Sequence, residues 1–370
     1  MSKITNEQVL ESYTRLNSFN KVAAELCVDA TTVRRRYNKM IARGEVQVTG
    51  SLVPEGYNVE KETIHEKDGK VFQRWIKTSA DKERQAALIE SVVNAMKDSI
   101  KPMSKVKKFS SGSSDLATLY TFSDYHLGML AWKEENKESD WDLSIAKNML
   151  VNSYSYMIES GPDAKKGIVC LLGDFLHFDK LEPVTNGHGH VLDAAVRFPL
   201  LVRTAVEVII ELIKMALQKH EEVELLICQG NHDENTAIIL QTCFNLLLSD
   251  NKRLKVENSP LPYYSVEHGD TSLFFHHGHK RGMPMLQMVF ASQFPKVWGN
   301  TVYRYAHTGH HHHHVSKEES GMIVEKHQTL SARDAYASTG GFFSQRGANC
   351  ITYHKKFGEV SRLNVRPEMF

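Results

Sequence analysis

Val223-Glu224-Leu225-Leu226-Ile227-Cys228 runs straight into Gln229-Gly230-Asn231-His232-Asp233. A short apolar run halted by glycine and polar residues is the pattern of a buried strand that ends in a tight loop. Loops at the carboxyl edge of a sheet are where α/β folds gather their binding groups. Working outward, Asp124-Tyr125-His126 and Gly173-Asp174 precede this stretch, and His277-Gly278-His279 and Gly309-His310-His311-His312 follow it. Each stands behind an apolar run of its own. Distant strand ends can therefore deliver carboxylate, amide and imidazole groups to one place, which is how a site for two metal ions is assembled.

In Asp124-x-His126 and His310-x-His312 the paired groups are two residues apart, and extended backbone turns residues i and i+2 to the same face. Each pair is expected to converge on one ion. Asp, Asn and His supply borderline-hard oxygen and nitrogen donors, suited to Mn²⁺, Zn²⁺ or Fe and poorly suited to a metal that demands thiolates alone. The run His310–His314 is not an expression tag, because it is internal and follows the apolar Val302-Tyr303-Arg304-Tyr305-Ala306 and Thr308-Gly309. Singly, Asp-x-His and Gly-Asp are weak signals. The ordered set of five carries the reading.

Around these motifs, from residue 117 to 370, apolar runs alternate with long amphipathic segments, the pattern of a layered α/β domain. Strands are expected at 117–123, 168–172, 223–228, 254–257, 263–267, 272–276 and 303–307, with helices at about 142–159, 196–219, 236–249 and 285–293. Two further β-like runs lie at 350–354 and 360–365. Ser338-Thr339-Gly340-Gly341-Phe342-Phe343 reads as a turn without an assigned place, and Thr185 to His190 as a loop.

Residues 1–46 carry apolar positions at helical spacing in three short blocks: Val9, Tyr13 and Leu16; Phe19, Val22, Ala23 and Leu26; then Val33, Tyr37 and Ile41. Blocks this short are unstable singly, so a compact trihelical module is expected, with Asp29 or Thr31 capping its third helix. The segment from Asn20 to Lys39 resembles the helix-turn-helix of bacterial and phage DNA-binding proteins. That resemblance makes the third helix the reader, with Thr31, Thr32, Arg34, Arg35, Arg36 and Lys39 offered to phosphates or base edges. The competing reading is a helical assembly module whose arginines form a solvated face. In 47–100, Asp68-Gly69 between alternating runs signals a hairpin with strands at 57–64 and 71–77. The amphipathic helix expected after it, at 81–100, makes this segment a spacer or a homodimerisation element. The Ser-, Gly- and Lys-rich stretch 101–116 reads as a flexible linker.

Lys+Arg number 45 against Asp+Glu 44, so DNA contact has to come from a local patch and not from a global basic field. The five cysteines lack paired short spacings, which fits a reducing cytoplasm. No apolar run approaches the length of a membrane span, and the first residues do not form a signal peptide.

Asp124-x-His126, Gly173-Asp174, Gly230-Asn231-His232-Asp233, His277-Gly278-His279 and Gly309-His310-x-His312 resemble the motif set of the calcineurin-like metallophosphoesterases over roughly 117–370. The resemblance implies an α/β sandwich of two sheets flanked by helices, preceded by the helix-turn-helix module and the hairpin–helix segment. It implies that Asp124, His126, Asp174 and His312 hold one divalent ion, and Asp174, Asn231, His277 and His310 a second, with Asp174 shared. Of the adjacent pair His276 and His277, the ligand is the one immediately before glycine. Mn²⁺ is the first expectation for both ions. Gly173-Asp174 lacks the following Arg of protein Ser/Thr phosphatases, and the third motif ends in Asp233 instead of Glu, which disfavours that subgroup. The whole layout is similar to phage metallophosphatases, which would place it in the bacterial host cytoplasm. His232 is expected to protonate the leaving oxygen or steady transition-state charge, with Asp233 orienting its imidazole. The expected activity is a metal-dependent phosphodiesterase on nucleic acid. The alternatives are hydrolysis of nucleotides or small signalling molecules, and a DNA-binding regulator with an inactive domain.

Overall fold

The computed structural model describes residues 5–16, 19–26, 28–42, 57–67, 70–80, 82–99, 111–185 and 190–370. It divides into two compact units, Met1–Ala86 and Ala87–Phe370, with the division inside the helix Lys82–Ser99.

In the first unit, the helices Asn6–Leu16, Phe19–Glu25 and Ala30–Ala42 close around Val9, Val22, Ala23, Val33 and Met40. Asp29 starts the third helix by accepting the Thr31 amide at 2.8 Å. Strands Tyr57–Lys67 and Lys70–Ala80 pair antiparallel; the first starts where expected and runs three residues further, and the second is longer at both ends. Cys27 in the expected helix-turn-helix, residues 43–56, the Asp68-Gly69 turn and linker residues 101–110 lie outside the described residues.

The second unit has the two sheets that the resemblance implies. The larger runs in the order 358–365, 348–354, 113–122, 164–171, 222–227, 254–256, and its last four strands are parallel. The smaller runs 315–319, 322–326, 303–308, 271–275, 264–268, with the middle three parallel. Alternation along the strands divides the core. Ala117, Leu119, Ile168, Cys170, Leu172, Leu226 and Cys228 pack against Tyr264, Val266, Leu273 and Phe275 of the second sheet. The residues between them, Tyr120, Phe122, Val169, Leu171, Leu225 and Ile227, face the opposite way into a cluster with helices Leu143–Ser160 and Phe198–Lys219. On the far face of the second sheet, Phe274, Ala306 and Val324 meet Leu286 and Phe290 of the helix Met283–Gln293. The result is helix, sheet, sheet, helix.

Phe198–Lys219 forms because Phe198, Leu201, Val202, Ala205, Val208, Ile209, Leu212, Ile213 and Ala216 recur at three- and four-residue spacing and are all buried. Each fully buried Leu, Ile or Val contributes about 1.5–3 kcal/mol. The helix stops at His220, whose ring reaches the Tyr120 hydroxyl at 2.8 Å and the Ala164 carbonyl at 2.7 Å, tying the helix end to the sheet.

Some expectations shift. The first strand opens at Ser113, inside the expected linker, because the Ser113 amide bonds the Asp163 carbonyl at 2.8 Å and extends the ladder. Strands Val315–Glu319 and Met322–Lys326 escape the sequence reading because the first is a largely exposed run rich in charge. The unplaced Ser338–Phe343 turn is the end of the short helix Ala335–Gly340, stopped by Gly341 at φ 71°. In the helix Lys82–Ser99, Val92, Ala95 and Met96 are buried in the main core. Among the described residues, no helix is long and apolar enough to cross a membrane.

Candidate metal centre

Five strands end at one place. Asp124 follows 113–122, Asp174 follows 164–171, Asn231 follows 222–227, His277 follows 271–275 and His310 follows 303–308. The first three strands belong to one sheet and the last two to the other, so the centre lies where both sheets present their carboxyl edges.

Ligand atoms of Asp124, His126 and His312 lie within 4.8 Å of one another, and so do those of Asp174, His277 and His310. The two groups abut. His277 Nε2 is 3.0 Å from Asp174 Oδ2 and 3.7 Å from Asp124 Oδ1, and His312 Nε2 is 3.3 Å from Asp124 Oδ1 and from His126 Nε2. Of the two adjacent histidines, His277 enters the site; His276 stacks on Tyr263, with centroids 4.5 Å apart.

The backbone that delivers these groups departs from the expectation. Asp124, His126, Asp174, His310 and His312 have φ between 47° and 71°, in the left-handed region, so their pairs converge through tight turns and not through extended alternation. Among the described non-glycine residues only Lys137 joins them there. Each such conformation costs about 1–3 kcal/mol and persists only where its surroundings over-determine it. Here the loops lace together. The Asp124 amide donates to Gly173 O at 3.1 Å, the His126 amide to Asp174 O at 2.9 Å, and the His310 amide to both Asp124 carboxylate oxygens at 2.9 Å. Thr329 Oγ1 and Ser331 Oγ donate to the Asp124 carbonyl at 2.6 and 3.2 Å, a support that nothing in the motif spacing signals.

Close approach also requires glycine. A methyl group at Gly230 or Gly309 would fall onto the Asp174 or Asp124 carboxylate, respectively.

Asp233 does not orient His232. Its Oδ1 accepts the amides of Gly230 at 3.0 Å and Asp174 at 3.2 Å, and its Oδ2 accepts that of Leu176 at 3.0 Å. The carboxylate is thus a staple between two ligand loops, out of reach of the imidazole it was expected to hold. The His177 carbonyl holds it instead, accepting from His232 Nδ1 at 2.8 Å. The His232 ring stands edge-on to His126 at 4.8 Å between centroids, and ligand atoms of His126, His177 and His232 lie within 4.8 Å of one another. His177 itself stands 3.3 Å from His126 Nδ1. Its place three residues after Asp174 is the signal that the sequence carries for it.

Electrostatics fit a cation-binding centre. Burial opposes ionisation of Asp124, and the His277 and His312 imidazoles outweigh it, holding the carboxylate below its usual range. Burial also opposes charge on His277, but the Asp174 and Asp124 carboxylates raise it to about 10. His310 is pushed down to about 4, first by burial and then by His277. Burial, followed by repulsion from Asp174, raises Asp233 to about 8.

The residues suit divalent ions. Asn231 Oδ1 is buried without a hydrogen-bond partner, as a carbonyl reserved for a cation would be. His277 Nδ1 is 2.9 Å from the Leu172 carbonyl, which fixes the proton there and presents Nε2 to the carboxylates, the usual arrangement of a metal-binding histidine. A different buried group, His307, Glu325 and His327, also converges. Its nitrogens are already engaged: His307 with His327 at 2.8 Å and Tyr353 at 3.1 Å, and His327 with Asn349 at 3.0 Å. Glu325 is taken by Arg362 at 2.6 and 2.9 Å, so this cluster reads as a structural network.

On the helix 30–42, Thr31, Arg34 and Arg35 are exposed and Thr32 is half-buried. Arg36, also half-buried, turns back to Asn6 Oδ1 at 3.4 Å. The Lys39 side chain lies outside the described residues.

No family model matches the chain, and no curated protein matches it. Among solved structures it is similar to an archaeal phosphodiesterase, with 14% identity and a TM-score of 0.34 over 67% of this chain and 98% of that one. It is similar to wild-type Vps29 of Entamoeba histolytica complexed with zinc, with 11% identity and a TM-score of 0.29 over 68% and 99%. Vacuolar protein sorting 29 of Cryptosporidium parvum gives 11% and 0.29 over 68% and 97%. Likenesses this low leave the site to be read from its own residues.

Proposed function

We propose that this chain is a metal-dependent phosphodiesterase of the metallophosphoesterase type that acts on nucleic acid, with its N-terminal helical module recruiting DNA. The observation that carries the hydrolase reading is the meeting of two ligand groups at the ends of five strands, with Asn231 Oδ1 buried and unpaired beside them. Asp124, His126, Asp174 and His312 would hold one divalent ion and Asp174, Asn231, His277 and His310 the other, Mn²⁺ being the first choice. Such ions supply Lewis acidity, polarising a phosphoryl group and acidifying water at neutral pH.

The chain's own part is positioning and proton handling. Asp124 and Asp174, both buried, would bring the negative charge that holds the cations. His232, with Nδ1 tied to the His177 carbonyl, offers Nε2 to the leaving oxygen as general acid or as a hydrogen-bond donor. Asp233 keeps the Gly173 and Gly230 loops in register through the amides it accepts. Support for nucleic acid as substrate is the exposure of Thr31, Arg34 and Arg35 on one short helix, against a chain of almost balanced charge.

The test is a panel of small phosphodiester, small phosphomonoester, single-stranded and duplex DNA with Mn²⁺, run on the full chain and on Arg34→Ser/Arg35→Ser. Diester cleavage is expected in both proteins. The double variant is expected to lose duplex affinity and to flatten its salt dependence by about 0.9 log unit of slope per phosphate contact removed. Equal DNA binding by both proteins would return the module to an assembly role and favour a small-molecule diester. No hydrolysis of any substrate would end the enzyme reading.

A further inference from the structure

His279 belongs to neither ligand group. It is half-buried, yet Nδ1 and Nε2 are both buried and neither has a hydrogen-bond partner. An imidazole carries at least one N–H in every tautomer. Buried donors are nearly always paired, so one left open inside a site points to a group that arrives from outside.

The ring is held in a defined plane. Tyr263, His276 and His279 stack in series, with centroids 4.5 and 5.6 Å apart and both interplanar angles 11°. Beside this stack, the His279 centroid is 5.4 Å from His277 and 6.3 Å from His310, two members of the second ligand group. The turn that places it passes through Gly278 at φ 112°, where an added Cβ would lie 3.1 Å from the Gly309 carbonyl, so the two histidine loops touch. The adjacent Lys280 is engaged with Glu234 at 3.1 Å, and His276 accepts the Gly278 amide on Nδ1 at 3.0 Å and leaves only Nε2 unpaired, whereas both ring nitrogens of His279, the ring beside His277 and His310, have no partner.

We infer that His279 donates a ring N–H to a non-bridging phosphoryl oxygen of the substrate, beside the ion held by Asp174, Asn231, His277 and His310. This rests on the phosphoester reading above and names a substrate contact that the ligand motifs do not contain. A donor aimed in advance at a phosphoryl oxygen stabilises the charge that develops there during displacement.

The experiment uses the full chain loaded with Mn²⁺, with inorganic phosphate as the probe. His279→Ala removes the ring, His279→Phe keeps a ring in the stack but has no N–H, and His279→Gln restores a donor. The Ala and Phe variants are expected to retain wild-type metal content by elemental analysis and to bind phosphate at least about tenfold more weakly by calorimetry. They should turn over a small chromogenic diester about 10²–10³-fold more slowly, with His279→Gln recovering part of both losses. If His279→Ala does not fold, the Phe and Gln pair decides. Loss of an ion would make His279 a ligand and overturn the inference. Wild-type phosphate affinity in the Phe variant, or no phosphate binding by the loaded wild-type chain, would overturn it too. If the wild-type chain binds phosphate and the Phe variant does not, while no ester is hydrolysed, the hydrolase reading falls and the phosphate contact stands.

Discussion

Gly230→Ala separates the space around the centre from its backbone. Gly230 is not among the glycines with φ in the left-handed region, so alanine can take its conformation without strain. The added methyl is the whole perturbation, and it falls on Asp174, with Cγ only 2.8 Å away and the Oδ1 and amide nitrogen closer still. Carbon atoms in ordinary contact stand about 3.5–4.0 Å apart, so Asp174, its backbone amide as well as its carboxylate, must retreat by roughly 1 Å. Asp174 is shared by both proposed ligand sets, and disturbing the groups that orient a metal ligand costs up to about 10²-fold in metal affinity. Mn²⁺ affinity should therefore fall about 100-fold for at least one ion, equivalent to about 2.7 kcal/mol. Overpacking should lower the stability of the metal-free chain by about 1–3 kcal/mol, too little to unfold a core of this size. Calorimetric Mn²⁺ titration and thermal unfolding read the two effects separately. Gly299→Ala is the control, since a Cβ there meets nothing within 4 Å. A Gly230→Ala protein that binds two ions with wild-type affinity would refute the claim that glycine is needed for the approach of these loops.

His232→Ala should keep its metal content and lose about 10²–10⁴-fold in turnover, and a wild-type rate would make it a structural residue of the loop. Glu325 is held down to about 2 from 4.5, with burial opposing its charge and His327 and Arg362 outweighing burial. Its folded pKa is depressed, so its contribution is present above pH 4.5 and lost as pH falls through about 2. Glu325→Gln should accordingly cost about 3 kcal/mol at pH 7 in urea unfolding of the metal-free chain, with the difference shrinking below pH 4.5; a pH-independent difference would remove the Arg362 pair from the account. A chain starting at Lys82 should fold and hydrolyse a small diester, whereas one starting at Ser114 loses buried Val92, Ala95 and Met96 and about 5 kcal/mol of stability. Equal thermal midpoints for the two would show that the helix 82–99 contributes nothing to this core.

The layered α/β domain was legible because buried strands leave unbroken apolar runs, and those at 117–123, 168–172, 223–228, 272–276 and 303–307 fall on the strands 113–122, 164–171, 222–227, 271–275 and 303–308; its division into two sheets came only from the resemblance. The same runs placed the candidate ligands, since a polar cluster directly after a strand has to sit at its carboxyl edge. Charge-rich, largely exposed Val315–Glu319 leaves no such trace, because an edge strand needs little apolar burial. Other features belong to tertiary contact alone. Whether Asp124, His126, Asp174, His310 and His312 sit in extended or left-handed backbone depends on hydrogen bonds from segments far away in the chain, among them Thr329 and Ser331. Asp233 was read as the partner of its neighbour His232, yet its carboxylate staples amides of two loops, and the carbonyl of His177 holds the imidazole. Local sequence encodes which residue types arrive at the centre. Which atom each one meets is set by the packing of two sheets, where a one-residue difference in turn geometry redirects a side chain by several ångströms.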